Sequence, residues 1–198
     1  VSFRSLQKIM ISAILLAAGQ SKRMNGENKL TKKIQGIPLI EYSVKNVLAS
    51  SVDELIVVLG YQKEAIEKII GNDKKIKFIF NKNFENGMAS SIKAGLNHLS
   101  KKTESFFICL GDMPFVNQNI YNKLIEYKNN KEIIVPTYKG QQGNPVLFSK
   151  SMKKKLITTV QGDIGAKKIL ELNENKLLNL ETNDKNVIKN FNTKDSFN

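Results

Sequence analysis

Ile14-Leu15-Leu16-Ala17-Ala18-Gly19-Gln20-Ser21-Lys22-Arg23-Met24, with Lys29 following five residues on, is the stretch whose reading decides the fold. An apolar run stops at small residues and then turns basic. Ile11 to Ala18 has the length and composition of a strand buried on both faces. Gly19 lets the backbone turn left-handed or be approached closely, because no side chain lies over it. Arg23 and Lys29 place cations just beyond, where a polyphosphate would need neutralising. The spacing is neither that of a Walker loop nor that of the dinucleotide GxGxxG. Two readings therefore stay open: a loop that cradles a nucleotide, or an ordinary strand exit with solvated charges.

Outward from this stretch the chain alternates strand and helix. Gly36-Ile37-Pro38 leads into a helix over Leu39, Ile40, Ser43, Val44, Val47 and Leu48, with proline just inside its start. Glu54 to Gly60 reads as a second buried strand, Gln62 to Ile70 as an amphipathic helix closed by Gly71, and Lys75 to Phe80 as a third strand. After Asn81 comes the polar loop Phe84 to Ser91, in which Ser90 or Ser91 is predicted to cap a helix through Ile92, Ala94, Leu96 and Leu99. Ser105 to Leu110 is a fourth strand, ending in Gly111-Asp112-Met113-Pro114. Such alternation implies parallel pairing through right-handed crossovers, and ligands in such sheets lie beyond the carboxyl ends of the strands. Gly19, Asn81, Gly87 and Asp112 all fall there.

The second half changes character. A helix is predicted over Asn117–Tyr127, a strand over Glu132–Pro136, and another over Val146–Phe148 after the glycine-punctuated segment Tyr138–Pro145. A basic helix around Met152–Ile157 precedes Gln161-Gly162-Asp163-Ile164-Gly165, which opens a further helix. Strands are predicted near Leu177–Leu180 and Val187–Phe191. No linker or repeat separates the halves, so they are expected to share one sheet.

Composition narrows the function classes. Apolar content of 41% and charged content of 25% are those of an ordinary globular protein, and no apolar run approaches a membrane span. No secretory signal is visible, and Val1 to Ile9 reads as an extension upstream of Met10. A single cysteine, Cys109, cannot form an internal disulfide, which fits a cytoplasmic location. The net charge of +13 would suit nucleic acid or a polyanionic nucleotide. Because the lysines are scattered rather than interleaved with aromatics, nucleic acid is not the expected partner.

Asp112 is the leading chemical candidate. It ends a buried strand at the ligand crevice, and a carboxylate there suits Mg²⁺, which favours hard oxygen ligands and shares phosphate oxygens. The bland alternative is a turn aspartate bonded to its own backbone. Asp163 reads either as a helix N-cap or as a group orienting a second substrate. His98 has no local triad to join and reads as a helix-surface residue, Cys109 as core, and Lys153-Lys154-Lys155 as a solvated face.

LAAGQSKRM with its following lysine, GDMP at the end of a later strand, GNPVLF and GDIGAKKIL together resemble the nucleotidyltransferases of the glycosyltransferase-A-like superfamily, in the molybdenum-cofactor cytidylyltransferase branch. The resemblance covers Met10 to Asp195. It implies a three-layer αβα, Rossmann-like fold with a mostly parallel, mixed central sheet. It also implies one domain over 10–198, with nucleotide bound by 10–115 and acceptor by 116–198. Leu16, Ala17, Ala18, Gly19, Ser21, Asn81, Gly87, Ser91 and Gly111 would contact nucleotide. Arg23, Lys29 and Asp112 would be catalytic, with Mg²⁺ on Asp112 and Asn192. Gly143, Asn144, Pro145, Gly162, Asp163 and Gly165 would face the pterin. Guanylyltransferases of the group typically read LAGG where cytidylyltransferases read LAAG, so Ala18 implies CTP. A molybdenum hydroxylase would receive the product. The chain departs from the group's IDTPED-like ending: Asn192 stands where an aspartate is usual. Transfer to a sugar or alcohol phosphate, and a non-catalytic cofactor-binding role, are the alternatives.

Overall fold

A computed structural model of the chain describes residues 9–21, 27–163 and 167–191. The first strand, β1 (Met10–Ala17), is followed by a short antiparallel ribbon of β2 (Lys33–Ile34) and β3 (Ile37–Pro38). Next come α1 (Leu39–Leu48), β4 (Glu54–Leu59), α2 (Lys63–Ile70), β5 (Ile76–Phe80), α3 (Met88–Asn97) and β6 (Thr103–Leu110). The second half supplies α4 (Gln118–Glu126), β7 (Ile133–Tyr138), β8 (Gln141–Gln142), β9 (Val146–Ser149), α5 (Met152–Thr159), α6 (Lys167–Glu171) and β10 (Leu177–Glu181). Seven strands form the sheet in the order β10-β7-β9-β6-β1-β4-β5, and β8 pairs with β7.

This is the mixed sheet expected of the fold. β5, β4, β1 and β6 run parallel, β9 lies antiparallel between β6 and β7, and β10 is parallel to β7. Side-chain alternation divides β1 between two cores. Ala13, Leu15 and Ala17 face a layer with Leu39, Val44, Ile66 and Leu124 of α1, α2 and α4. Ile14 and Ala18 face Ile92, Leu96, Leu156 and Ile169 of α3, α5 and α6. Hence β1 has helices on both faces and strands on both edges, which is why its sequence is a continuous apolar run.

The one polar side chain buried in β1, Ser12, is fully bonded: its hydroxyl meets Glu54 Oε2 and Thr103 Oγ1, each at 2.8 Å. Cys109 is core, as expected, and burial pushes its thiol up to about 12. His98 ends α3 in solvent, its Nδ1 lying 2.8 Å from the carbonyl of Ala94.

Three local expectations need correction. Pro38 precedes α1 instead of lying inside it. Neither Ser90 nor Ser91 caps α3, which begins two residues earlier with Gly87 at the capping position. Ser90 Oγ instead donates towards the carbonyls of Asn83 and Gly87, at 2.8 and 2.9 Å. Finally, Val187 to Phe191 is not a strand; Lys185–Ile188 forms a turn of 3-10 helix. The Asp184 side chain accepts from the Asn186 amide at 2.9 Å, a local bond that competes with ladder formation.

α3 lies unusually close to the sheet. A Cβ on Gly95 would come within 2.3 Å of Ile14 Cγ2 and 3.2 Å of Val58 Cγ2. Gly95→Ala is therefore expected to cost about 1–3 kcal/mol despite alanine's better helix propensity. Urea unfolding checks this; a stabilised variant would mean that the helix can simply lift away.

Candidate active site

Strand register builds the site. β1 pairs with β6 so that Leu16 lies opposite Leu110, and with β4 so that Ala17 lies opposite Leu59. β4 pairs with β5 so that Leu59 lies opposite Phe80. Four parallel strands thus end level, and Ala18-Gly19, Gly60, Asn81 and Gly111-Asp112 emerge together. The chain leaves β1 in one direction to build β4 and β5, then returns to add β6 on the other side. Such a switch point opens a crevice at the carboxyl ends.

A cavity of about 420 Å³ lies there, lined by residues that include Leu16, Ala18, Gly19, Lys29, Ser91 and Asp112. Gly19 does not need its left-handed freedom; the positive φ of this turn, 52°, belongs to Ser21. A Cβ built on Gly19 meets nothing within 4 Å, so its contribution is open space over the backbone. Ser21 closes the loop base: its hydroxyl accepts from the Lys29 amide at 3.1 Å. Asn28 fixes the short helical turn that follows, accepting from the Leu30 amide at 3.0 Å and donating to the Tyr61 carbonyl at 3.3 Å.

Lys29 is thereby aimed at Asp112. Its Nζ lies 2.5 Å from Asp112 Oδ2, with side chains 19% and 13% exposed. The turn bearing Asp112 is clamped on every side. The Gly111 amide donates to the Leu16 carbonyl at 3.1 Å, and Ser43 Oγ to the Gly111 carbonyl at 3.0 Å. The Phe191 amide donates to the Asp112 carbonyl at 2.9 Å, and Phe191 packs edge-on against Phe115. Among the described residues no three His, Cys, Asp or Glu side chains gather as a metal cluster. The donor set nevertheless fits Mg²⁺. One carboxylate oxygen on the cavity wall already faces a cation, and Mg²⁺ commonly takes one or two carboxylates and completes its shell with phosphate and water.

The remaining expected residues divide into those at the cavity and those behind it. Gly87 and Asp163 border it. Gly87 has φ +89° and ψ 179°, a conformation essentially restricted to glycine. A Cβ there would come within 2.5 Å of Asp163 Oδ1 and 2.6 Å of the Gly162 carbonyl. That carbonyl accepts from the Ala89 amide at 2.9 Å, so a loop of the second half caps α3 of the first. Asn81 is buried behind the wall, donating to Ser90 Oγ and Ser91 Oγ at 2.8 and 3.1 Å and accepting from the Asn83 amide at 3.0 Å. Ala17 points into the opposite core.

Gly143-Asn144-Pro145 does not reach the cavity. The Asn144 amide donates to the Val187 carbonyl at 2.8 Å, and Gly143 packs against that same carbonyl, so the segment supports the approach to Asn190 and Phe191. Arg23, Gly165 and Asn192 lie outside the described residues. The cavity also contains residues not foreseen in sequence: Gln20, Phe84, Glu85, Met88 and Asn190. Gln20 Nε2 donates to Glu85 Oε1 at 3.1 Å across its mouth. For Phe84 and Glu85 the signal was the polar segment Phe84–Gly87 just past a strand end, from which only Gly87 stood out.

Residues 13–179 match the family model of the MobA-like NTP transferase domain. The chain belongs to this family. It is a nucleotidyltransferase. It is 31% identical over 159 residues to the probable molybdenum cofactor guanylyltransferase of Methanosarcina acetivorans, with 77% of this chain and 69% of the relative covered. To the molybdenum cofactor cytidylyltransferase of Escherichia coli it is 31% identical over 140 residues, covering 71% of this chain and 70% of the relative. Its fold matches a Mycobacterium tuberculosis protein solved in complex with manganese, with a TM-score of 0.80, 21% identity, and 95% and 96% of the two chains covered.

Gly87→Ala should strain the backbone and push the Gly162-Asp163 loop away, lowering stability by about 1–3 kcal/mol or more. Nucleotide affinity should fall with it. Thermal melting and a fluorescence titration with nucleotide check both; unchanged melting would mean that the two loops separate freely.

Proposed function

We propose that the chain transfers CMP from CTP to the terminal phosphate of molybdopterin, releasing pyrophosphate, with Mg²⁺ as cofactor. The observation that carries this is the level ending of β1 and β6, which puts Ala18-Gly19, Lys29 and Asp112 on one cavity. The acceptor rests on the GNPVLF and GDIGA segments and on the relatives named for the molybdenum cofactor. Those relatives' names divide between guanylyl and cytidylyl transfer, and Ala18 is the residue that favours cytidine here.

The chemistry follows from what the side chains offer. An oxygen of the acceptor phosphate attacks the α-phosphorus of CTP, the bond to the β-phosphate oxygen breaks in line, and pyrophosphate departs. Such a step needs alignment and neutralisation of charge more than a base. The exposed backbone at Gly19 lets the triphosphate lie close, while Lys29 and Arg23 neutralise it. Asp112, with Asn192, would hold Mg²⁺, whose charge would stabilise the phosphate oxygens. Asp163, on the opposite wall, would meet the acceptor. Ala18, 3% exposed, lies where the cavity wall joins the inner core, and a methyl there in place of hydrogen would leave less room for a purine.

The deciding experiment is pyrophosphate release with molybdopterin against each of the four NTPs, with and without Mg²⁺. CTP should be preferred and molybdopterin required; release driven equally by a sugar phosphate would overturn the acceptor. Asp112→Ala should lower Mg²⁺-dependent turnover by about a hundredfold or more while the protein stays folded by circular dichroism. Full activity would remove its metal role. Ala18→Gly should raise GTP use relative to CTP, read as the ratio of kcat/KM values; an unchanged ratio would mean that the base is read elsewhere.

A further inference from the structure

We propose that Asn81 sets the direction of the Ser91 hydroxyl proton, so that Ser91 meets the base of the nucleotide as a hydrogen-bond donor. The inference rests on the reading that this cavity holds CTP. It begins with a side-chain amide whose orientation the backbone dictates. Asn81 is buried just past the end of β5, its own backbone N–H donating to the Leu59 carbonyl at 2.9 Å. The Asn83 backbone N–H meets one side-chain atom of Asn81 at 3.0 Å. An N–H can only donate, so that atom is the oxygen and the NH₂ group faces the two serines. It donates to Ser90 Oγ at 2.8 Å and to Ser91 Oγ at 3.1 Å. Ser90 agrees from the other side. Its one proton is committed to the carbonyls of Asn83 and Gly87, so towards Asn81 it can only accept.

Ser91 differs from Ser90 in what remains. Among the described residues no group accepts its proton, and its side chain lines the cavity. A lone pair therefore faces Asn81, and the O–H is left to the ligand. The two cores say which part of the ligand that is. Ala18 and α3 share one core, whereas Leu30, beside Lys29, belongs to the other. With the triphosphate drawn to Lys29, the base falls towards α3. Cytosine turns two acceptors outward there, its ring nitrogen N3 and its carbonyl O2. Guanine places an N1–H and an amino group, both donors, beside its carbonyl. A donating Ser91 thus suits cytosine. Asn81 is a positioning residue: it lies behind Ser91 and acts through it.

The test titrates CTP and ribose 5-triphosphate, which lacks a base, against four proteins by calorimetry. These are wild type, Asn81→Asp, Ser91→Ala and the double variant. Aspartate keeps the shape of asparagine and still accepts from the Asn83 amide, but it has no proton to offer. The Ser91 proton then turns to the carboxylate, and a lone pair faces the base. Both ligands carry the same triphosphate, so the added charge cancels in the ratio of their affinities. Asn81→Asp should lower the preference for CTP over ribose 5-triphosphate by about tenfold. Ser91→Ala should lower it several-fold, and the double variant should fall no further than Ser91→Ala alone. If melting shows loss of fold in Asn81→Asp, Asn81→Ala takes its place, with an expected loss of about threefold. An unchanged ratio in the Asn81 variant, or additive losses in the double variant, would overturn the inference and leave the CTP reading standing. A wild type that binds the two ligands alike would show that no base is read in the cavity, and both would fall.

Discussion

Everything at the site hangs from the burial of β1. The strand has neighbours on both edges and helices on both faces, so its side chains must be apolar and its one hydroxyl fully bonded. A strand so enclosed cannot slip by a residue without turning Ala13, Leu15 and Ala17 into the wrong core. The same register that satisfies the packing therefore sets the level at which Ala18-Gly19 and Gly111-Asp112 leave the sheet. Site geometry is a by-product of core packing here, which is why small shifts in the loops have little freedom to disturb it.

Charge operates at two scales. An excess of lysine raises the potential around the whole molecule, which would favour the approach of a nucleotide in any orientation. Within the cavity the balance is much closer. Asp112, Asp163 and Glu85 line it together with Lys29. A cavity with that many carboxylates would repel a polyphosphate unless cations screened them. The Lys29–Asp112 pair supplies part of that screening from the protein itself, and the MobA-like family to which the chain belongs is one whose substrates bring phosphate with them.

The sheet was legible in sequence because buried parallel strands are written as short apolar runs closed by glycine or asparagine, as in Glu54–Gly60 and Ser105–Gly111. The edges of that legibility are equally physical. Val187 to Phe191 has strand composition, yet the Asp184 side chain and the packing of Gly143 divert its backbone into a turn. Ser90 and Ser91 have the chemistry of caps, yet α3 is capped from a distant loop by a carbonyl that no local pattern announces. Asn81 and Gly143 show a third limit. Both belong to recognisable motifs, but neither lines the cavity: Asn81 lies behind Ser91, to which it donates, and Gly143 packs against Val187 and donates to the Pro136 carbonyl. A motif marks the neighbourhood of a site more reliably than it marks direct contact.

The capping of α3 by Gly162 also bears on how the chain could be divided. Cutting between β6 and α4 would separate a first piece containing the level strand ends, Lys29 and Asp112 from a second carrying β9, β7 and β10. The first piece would lose the carbonyl that receives the Ala89 amide, and the long edge of β6 would be left bare of β9. An open edge of that kind invites pairing with other chains. The two pieces are thus complementary fragments, not modules: each supplies surfaces that the other needs in order to stay soluble and closed.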